Sequence, residues 1–242
     1  MYHFLFWFLK FIIFGIIGFV FETICCIVID HKFSNRGFLT GPMIPIYAVG
    51  SLLLIWTLDP VKEYIWIVLL CASVITAILE YFTSYLLEKI FHNRWWDYSN
   101  MKYNLNGRIC LLGILAFTIG TPLIIYYINP LIDRFLLSFS PKTLLIIGLI
   151  VFAIFVLDVI YSVVVAYNLR YRIIIVEDLK KEKLTKIPGV LEKMLRKRIA
   201  GMKKYPKRLL ESFPYIMKNK EKEFAIMNNE YEHSKEKHLK MK

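Results

Sequence analysis

The chain has 242 residues, of which 57% are hydrophobic and 16% aromatic, and its net charge is +12. An apolar share above the roughly 45–50% of soluble domains excludes an ordinary soluble fold. Of the 31 Lys and Arg residues, 21 lie at or after Arg170. The sequence therefore predicts a membrane domain over residues 1–169 and a basic tail over residues 170–242.

Five apolar stretches predict five transmembrane helices, because about 20 mostly apolar residues cross the hydrocarbon core of a bilayer. They cover residues 4–29, 42–58, 64–90, 109–128 and 144–169. The second stretch is short and opens with Gly41, Pro42 and Pro45, so it is either a complete span or a re-entrant segment followed by a half-helix. The predicted fold class is an all-α integral membrane protein.

The charges of the loops predict the orientation, because Lys and Arg concentrate in cytoplasmic loops. The loops between spans one and two and between spans three and four, together with Lys89 at the end of span three, carry six basic residues, against three in the other two loops. The N-terminus is therefore predicted outside and the tail inside. This gives a multi-pass protein of the cell membrane with a cytoplasmic C-terminal tail.

The tail contains one amphipathic pattern. Residues 190–210 place apolar side chains at helical spacing among many Lys and Arg residues. The pattern predicts a helix that either binds anionic lipid or only enforces the topology. The composition after Pro214 predicts disorder.

Several kinds of site are not indicated. The sequence contains no Walker A loop, no GxGxxG fingerprint and no HExxH motif, and its four cysteines show no metal-site spacing. We therefore expect no cofactor, no metal and no nucleic-acid partner, and the chain has no ATP-binding site of its own.

Polar residues inside the predicted spans point most directly to function, because an ionisable group is costly in lipid. The third span carries a polar stripe at spacings of three and four, formed by Ser73, Thr76, Glu80, Thr83, Ser84 and Glu88. Such a stripe faces protein or water. It lines a polar pathway or pocket, or it serves helix–helix adhesion through hydroxyl groups.

Two more acids, Glu22 and Asp158, are predicted in the same cytoplasmic half of the membrane as Glu80. Three acids near one level require partners or protons. Arg108 and Arg94 are the expected partners. The group predicts either a polar cavity open to the cytoplasm or a structural ion pair that fixes packing.

The two inner loops supply the remaining candidates. The loop between spans three and four contains Arg94, Trp95, Trp96, Asp97, Tyr98, Asn104, Asn106, Gly107 and Arg108. Its aromatic residues alone would be explained as anchors at the membrane interface. Anchoring does not explain why so many polar residues lie close together in the same loop. The other loop contributes Gly41, Pro42, Pro45 and Tyr47. A helix starting at Pro42 would either offer free N–H groups to an anion or simply be a capped start.

These segments carry a family resemblance. Residues 38–47 resemble an FxxGPxxPIYG signature, residues 80–88 an ExxTSxxxE segment, and residues 94–110 the WWDYS and NxxGR signatures. Together, over residues 11–128, the chain resembles the ABC-transporter permease family of the CmpB type, with Ala48 where the family usually has Gly. The resemblance implies substrate translocation driven by a separate ATPase.

Three functions remain open. The favoured one is a permease subunit that translocates an unknown substrate with a separate ATP-binding subunit, and five spans would then require a homodimer. The second is a membrane-embedded enzyme that acts on a lipid or isoprenoid-linked substrate through Glu80, Asp97 and Arg108. That enzyme would lack a nucleophile–base pair or metal cluster. The third is a scaffold or sensor that acts through the basic tail.

Overall fold

The computed structural model describes residues 2–31, 37–91 and 94–181. The predicted tail helix over residues 190–210 and the end of the tail lie outside the described residues. The chain divides into two units after Val164, and the described part of the second unit, from Val165 to Lys181, is helical.

The described residues are mainly α-helical. The helices are α1 Tyr2–Asp30, α2 Pro45–Leu58, α3 Ile65–Phe91, α4 Leu111–Pro122, α5 Asn129–Leu137 and α6 Pro141–Lys181. A 3-10 turn, Asp59–Val61, follows α2, and a π-helix, Leu123–Ile128, joins α4 to α5. Between α3 and α4, strand β1 Asn104–Leu105 pairs antiparallel with β2 Ile109–Cys110.

Four helical stretches are long and apolar enough to cross a membrane: Tyr2–Val28, Ile65–Phe91, Leu111–Leu137 and Pro141–Ala166. The protein is therefore a multi-pass helical membrane protein. The second predicted stretch corresponds to a shorter apolar helix, Pro45–Val61. This is the stretch that the sequence predicts to be either a complete span or a re-entrant segment followed by a half-helix.

Helix α2 begins at Pro45, three residues later than the predicted start at Pro42. Ile44 is the N-cap residue with an extended backbone, φ −115° and ψ 107°, and its N–H donates to the carbonyl of Gly15 at 3.0 Å. A residue before proline avoids the helical region. Pro45 then occupies the first turn, where no backbone N–H is needed.

The fourth predicted span, residues 109–128, differs at both ends. Ile109 and Cys110 form β2, so the helix begins at Leu111. It continues to Leu137, because a proline in the first turn of α5 does not interrupt helical geometry. Pro122, which cannot donate a backbone hydrogen bond, lies directly before the π-helix. As a result Asp133 lies in a helix rather than in a loop.

Two apolar clusters hold the helices together. The first joins α1, α2, α5 and the start of α6 through Leu9, Phe14, Ile55, Ile132, Leu136 and Leu144. The second joins α2, α3 and the π-helix through Leu54, Leu58, Val68, Ala72 and Ile125. Packing of α3 against α4 then brings the polar stripe of α3 towards the loop that precedes α4.

Candidate functional site

Two loops lie together at one end of the helices, here called the motif end: the first loop, residues 37–44, and the hairpin loop, residues 94–110. The ring of Phe38 lies 5.3 Å from Trp95 and 5.8 Å from Phe91, between ring centroids. Trp95 is buried, with 6% of its surface exposed. The edge-to-face contacts make Trp95 a packing residue between the loops, in contrast to the predicted interface anchor.

The hairpin loop turns at Asn106 and Gly107, which both have positive φ, 54° and 69°. The N–H of Arg108 donates to the carbonyl of Leu105 at 3.0 Å, which gives a type I′ turn. A Cβ on Gly107 would lie 2.5 Å from Asp97 Oδ1. Only glycine therefore fits this position.

The side chains of the other polar loop residues support the same turn. Asn104 accepts from the N–H of Gly107 at 3.0 Å and donates to the carbonyl of Met101 at 2.8 Å. Asp97 accepts from the N–H of Ser99 at 2.9 Å. The indole N–H of Trp96 donates to the carbonyl of Arg108 at 2.9 Å.

Glu88 fastens the hairpin loop to α3. Arg108 Nη2 lies 2.6 Å from Glu88 Oε2, and Arg94 Nε lies 3.3 Å from each Glu88 oxygen. The guanidinium of Arg108 also lies over the rings of Tyr81 and Tyr85, 5.7 and 5.4 Å from their centroids. Charge-assisted contacts of this kind are the strongest hydrogen bonds a loop can make.

The arginines do not meet the acids that the sequence assigns to them. The expected partners of Arg108 and Arg94 were Glu22, Glu80 and Asp158, but both arginines bind Glu88. The reason is position: Glu88 lies at the end of α3, one residue before Lys89 in its last turn, and is a third exposed. An ion pair forms there at less desolvation cost than beside the deeply buried Glu80.

Glu80 and Glu22 each bind a tyrosine. Glu80 is 6% exposed and is hydrogen-bonded to Tyr98 of the hairpin loop. Tyr47 of α2 donates its hydroxyl to Glu22 of α1 at 2.8 Å. Burial raises the pKa of the Tyr98 phenol well above its ordinary value, and the nearby Glu80 carboxyl group raises it further, so Tyr98 acts as a donor.

The polar stripe of α3 turns partly inward. Thr76, Glu80 and Ser84 are buried, while Thr83 and Glu88 are half-buried. The Thr76 hydroxyl bonds the carbonyl of Ala72 in its own helix at 2.7 Å. Ser84 Oγ lies 3.5 Å from Arg108 Nη1. Hydroxyl adhesion between helices therefore does not account for Thr76.

Asp158 of α6 binds the backbone of the first loop. Its two oxygens accept from the N–H groups of Thr40 at 3.0 Å and Gly41 at 2.9 Å, and Oδ1 also accepts from Ser162 at 3.2 Å. A Cβ on Gly41 would lie 3.1 Å from Asp158 Oδ2, which explains the glycine. The predicted anion at this loop is thus a side chain of the protein itself.

Replacing Asp158 with Asn is expected to loosen the first loop. The amide would present an N–H₂ group to one of two backbone donors, so one donor would lose its acceptor at a cost of about 1–3 kcal/mol. Faster proteolysis of residues 37–44 and a lower unfolding temperature would be measured. Asp59→Asn is the matched control, because the Asp59 side chain is half exposed and bonds only with Lys62 among the described contacts. Equal behaviour of the two variants would contradict the assignment.

One buried charge pair was missed from the sequence. Lys10 of α1 has a side chain only 3% exposed, and its Nζ lies 2.7 Å from Asp133 Oδ1 of α5. Its ammonium also lies 4.6 Å from the ring centroid of Trp7. The signal was available, because a lysine inside an apolar span requires an acid partner.

The described residues contain no group of three or more His, Cys, Asp or Glu side chains that would hold a metal ion. The site offers instead carboxyl groups bonded to tyrosines and an arginine-bound hairpin. That chemistry suits charge and proton binding, together with mechanical linkage between loops and helices.

The comparisons with known proteins give one match. The family model described as "Putative ABC-transporter type IV", of the CmpB type, matches residues 9–163. Neither the curated proteins nor the solved structures contain a match to the chain. The matched range covers α1 from Leu9 onward, the helices α2 to α5, most of the apolar part of α6 and both loops of the motif end. The chain therefore belongs to the CmpB-type family of ABC-transporter membrane proteins, and its role is a transporter-related one in the membrane.

Proposed function

We propose that the protein is the membrane-spanning subunit of a transporter, that a separate ATPase drives it, and that the motif end faces the cytoplasm and meets that ATPase. One observation carries the proposal: Glu88 binds Arg94 and Arg108 and so ties the hairpin loop to α3. A force on this loop would reach a spanning helix without being absorbed by flexible backbone. The family membership and the basic residues of both loops support the same arrangement.

The hairpin loop also presents a surface suited to a protein partner. Tyr103 is 82% exposed and has a positive φ of 54°, an unusual backbone for an aromatic residue. Met101 and Leu105 beside it are 45% and 55% exposed. Strained backbone persists where the surrounding structure holds it, and such positions concentrate at functional sites. We assign this tip to the contact with the ATPase.

Mild-detergent purification from native membranes tests the proposal. The wild-type chain is expected to bring a nucleotide-binding subunit with it, and Tyr103→Ala is expected to reduce that recovery about tenfold, as for an exposed aromatic anchor. Trp66→Ala is the matched control, because Trp66 is 80% exposed at the start of α3, at the opposite end. Absence of any ATPase with the wild type would overturn the proposal. Equal losses in both variants would indicate lipid anchoring instead.

The proposal includes a homodimer and a cytoplasmic tail that binds anionic lipid. Five helices are few for one half of a pore, so two copies would enclose a pathway. The basic composition after Arg170 complements anionic headgroups. The mass of the purified complex and the lipids that accompany it check both points in the same experiment.

A further inference from the structure

Glu80 has an incomplete set of partners. Its Oε2 atom is buried and has no hydrogen-bond partner among the residues that the structure describes. The carboxyl group of Glu80 is also hydrogen-bonded to the hydroxyl of Tyr98. Oε2 points towards the first turn of α4, where a Cβ on Gly113 would lie 3.8 Å away. A carboxyl oxygen in this setting is expensive to leave both charged and unpaired.

Among the described residues, the groups that face Glu80 do not supply a positive charge. Glu22 of α1 repels it electrostatically, Tyr98 of the hairpin loop donates to it, and Cys110 of β2 lies beside the same turn of α4. Tyr47 of α2 belongs to the group through its bond to Glu22. Of the described cations at this end, Arg94 and Arg108 both bind Glu88.

Size and ligand number restrict what can neutralise Glu80. The described residues contain no cluster of three metal-binding acids, cysteines or histidines. The unpartnered oxygen is buried beside the first turn of α4. A proton requires neither additional ligands nor space, and buried carboxyl groups commonly take one up.

We propose that Glu80 is an intramembrane proton-binding site, and that Tyr98 links its protonation to the position of the hairpin loop. A hydrogen bond donated to a carboxylate favours the charged form. Engagement of Tyr98 therefore favours release of the proton, and withdrawal of the loop favours uptake. This goes beyond the proposed function, because it holds whether or not an ATPase binds.

Infrared difference spectroscopy on the full chain in lipid vesicles tests the proposal through the carbonyl stretch of a protonated carboxyl group. The wild type is expected to show such a band at low pH and to lose it as the pH is raised. Deuterium exchange should shift the band, and Glu80→Gln should abolish it. Tyr98→Phe should keep the band to higher pH, because the donor that favours the charged form is gone. Glu22→Gln should lose it at lower pH, because the repulsion is gone. Glu63→Gln, at an exposed position, should match the wild type.

The variants show which residue carries the proton and whether Tyr98 links it to the hairpin loop. A band that survives Glu80→Gln but disappears in Glu22→Gln would place the proton on Glu22 and overturn the assignment. Identical pH profiles for Tyr98→Phe and the wild type would overturn the link to the loop. If Glu80→Gln fails to assemble, the Tyr98→Phe profile still decides, because that variant keeps Glu80. Recovery of the ATPase tests the transporter proposal separately.

Discussion

Replacing Asp133 with Asn is expected to destabilise the protein by about 3–5 kcal/mol, the range found when one partner of a buried ion pair is removed. The variant leaves the ammonium of Lys10, whose side chain is 3% exposed, without its acid partner. The reverse change is expected to be milder. Lys10→Met leaves Asp133, whose Oδ1 atom is buried but whose side chain as a whole is a third exposed, so that water still reaches the carboxylate group and the cost is about 1–3 kcal/mol.

The asymmetry is measured as the free energy of unfolding in detergent micelles. The two single variants are compared with the double variant Lys10→Met/Asp133→Leu. The double variant should return to within about 1 kcal/mol of the wild type, since replacing a buried pair by apolar residues is often neutral. Lys62 and Asp59 provide the control pair, because each is 49% exposed. Breaking that surface pair should cost at most about 1 kcal/mol. Single variants of equal cost would contradict the burial argument.

The helices were predictable from the sequence and the partners were not. Apolar length indicates the four stretches that are long enough to cross a membrane, because lipid requires that length, whereas the predicted second span corresponds to the shorter helix Pro45–Val61. The position of Asp133 was missed because Asn129 and Pro130 look like a helix end, whereas a proline in a first turn lets the helix continue. Likewise Glu80 and Glu88 lie on one stripe two turns apart, and composition does not indicate which of them an arginine will choose.

Local rules in the sequence held more information than the prediction extracted. The Asn106-Gly107 pair is a strong signal for a type I′ turn, although both residues are also polar enough to be candidates for a polar site. The rule for residues before proline would have placed the start of α2 at Pro45. In contrast, the bond from Asp158 to the first loop joins residues more than 100 positions apart, which no local pattern reveals.

Replacing Gly107 with Ala is expected to disrupt the hairpin loop at a cost of about 2–3 kcal/mol, because left-handed backbone and steric conflict act together. The position has φ +69°, and the new methyl group would collide with Asp97 and Ser99 and approach Arg94. Loss of the turn would release Arg108 from Glu88. Faster hydrogen exchange over residues 104–110 measures the effect.

Gly120→Ala is the matched control for that experiment. Gly120 lies in α4, and a Cβ there would meet nothing within 4 Å. An alanine in a helix is favoured over glycine by roughly 0.5–1 kcal/mol, so this variant should be neutral or slightly stabilised. A hairpin loop that exchanges at the same rate in both variants would show that Gly107 is dispensable.

The shortness of α2 affects the lipid around it. The helix has 14 residues and is therefore about 21 Å long at 1.5 Å per residue. The 3-10 turn that follows lengthens it by only one turn, and the hydrocarbon core of a bilayer is about 30 Å thick. Trp56 and Trp66, 74% and 80% exposed, lie near the end of α2 and at the start of α3, and exposed tryptophans of this kind are typical of the headgroup region. A bilayer that α2 crossed completely would therefore have to thin at the start of α2, beside Tyr47. Thinning there would draw headgroups and water inward and shorten the path from the aqueous phase to Glu22.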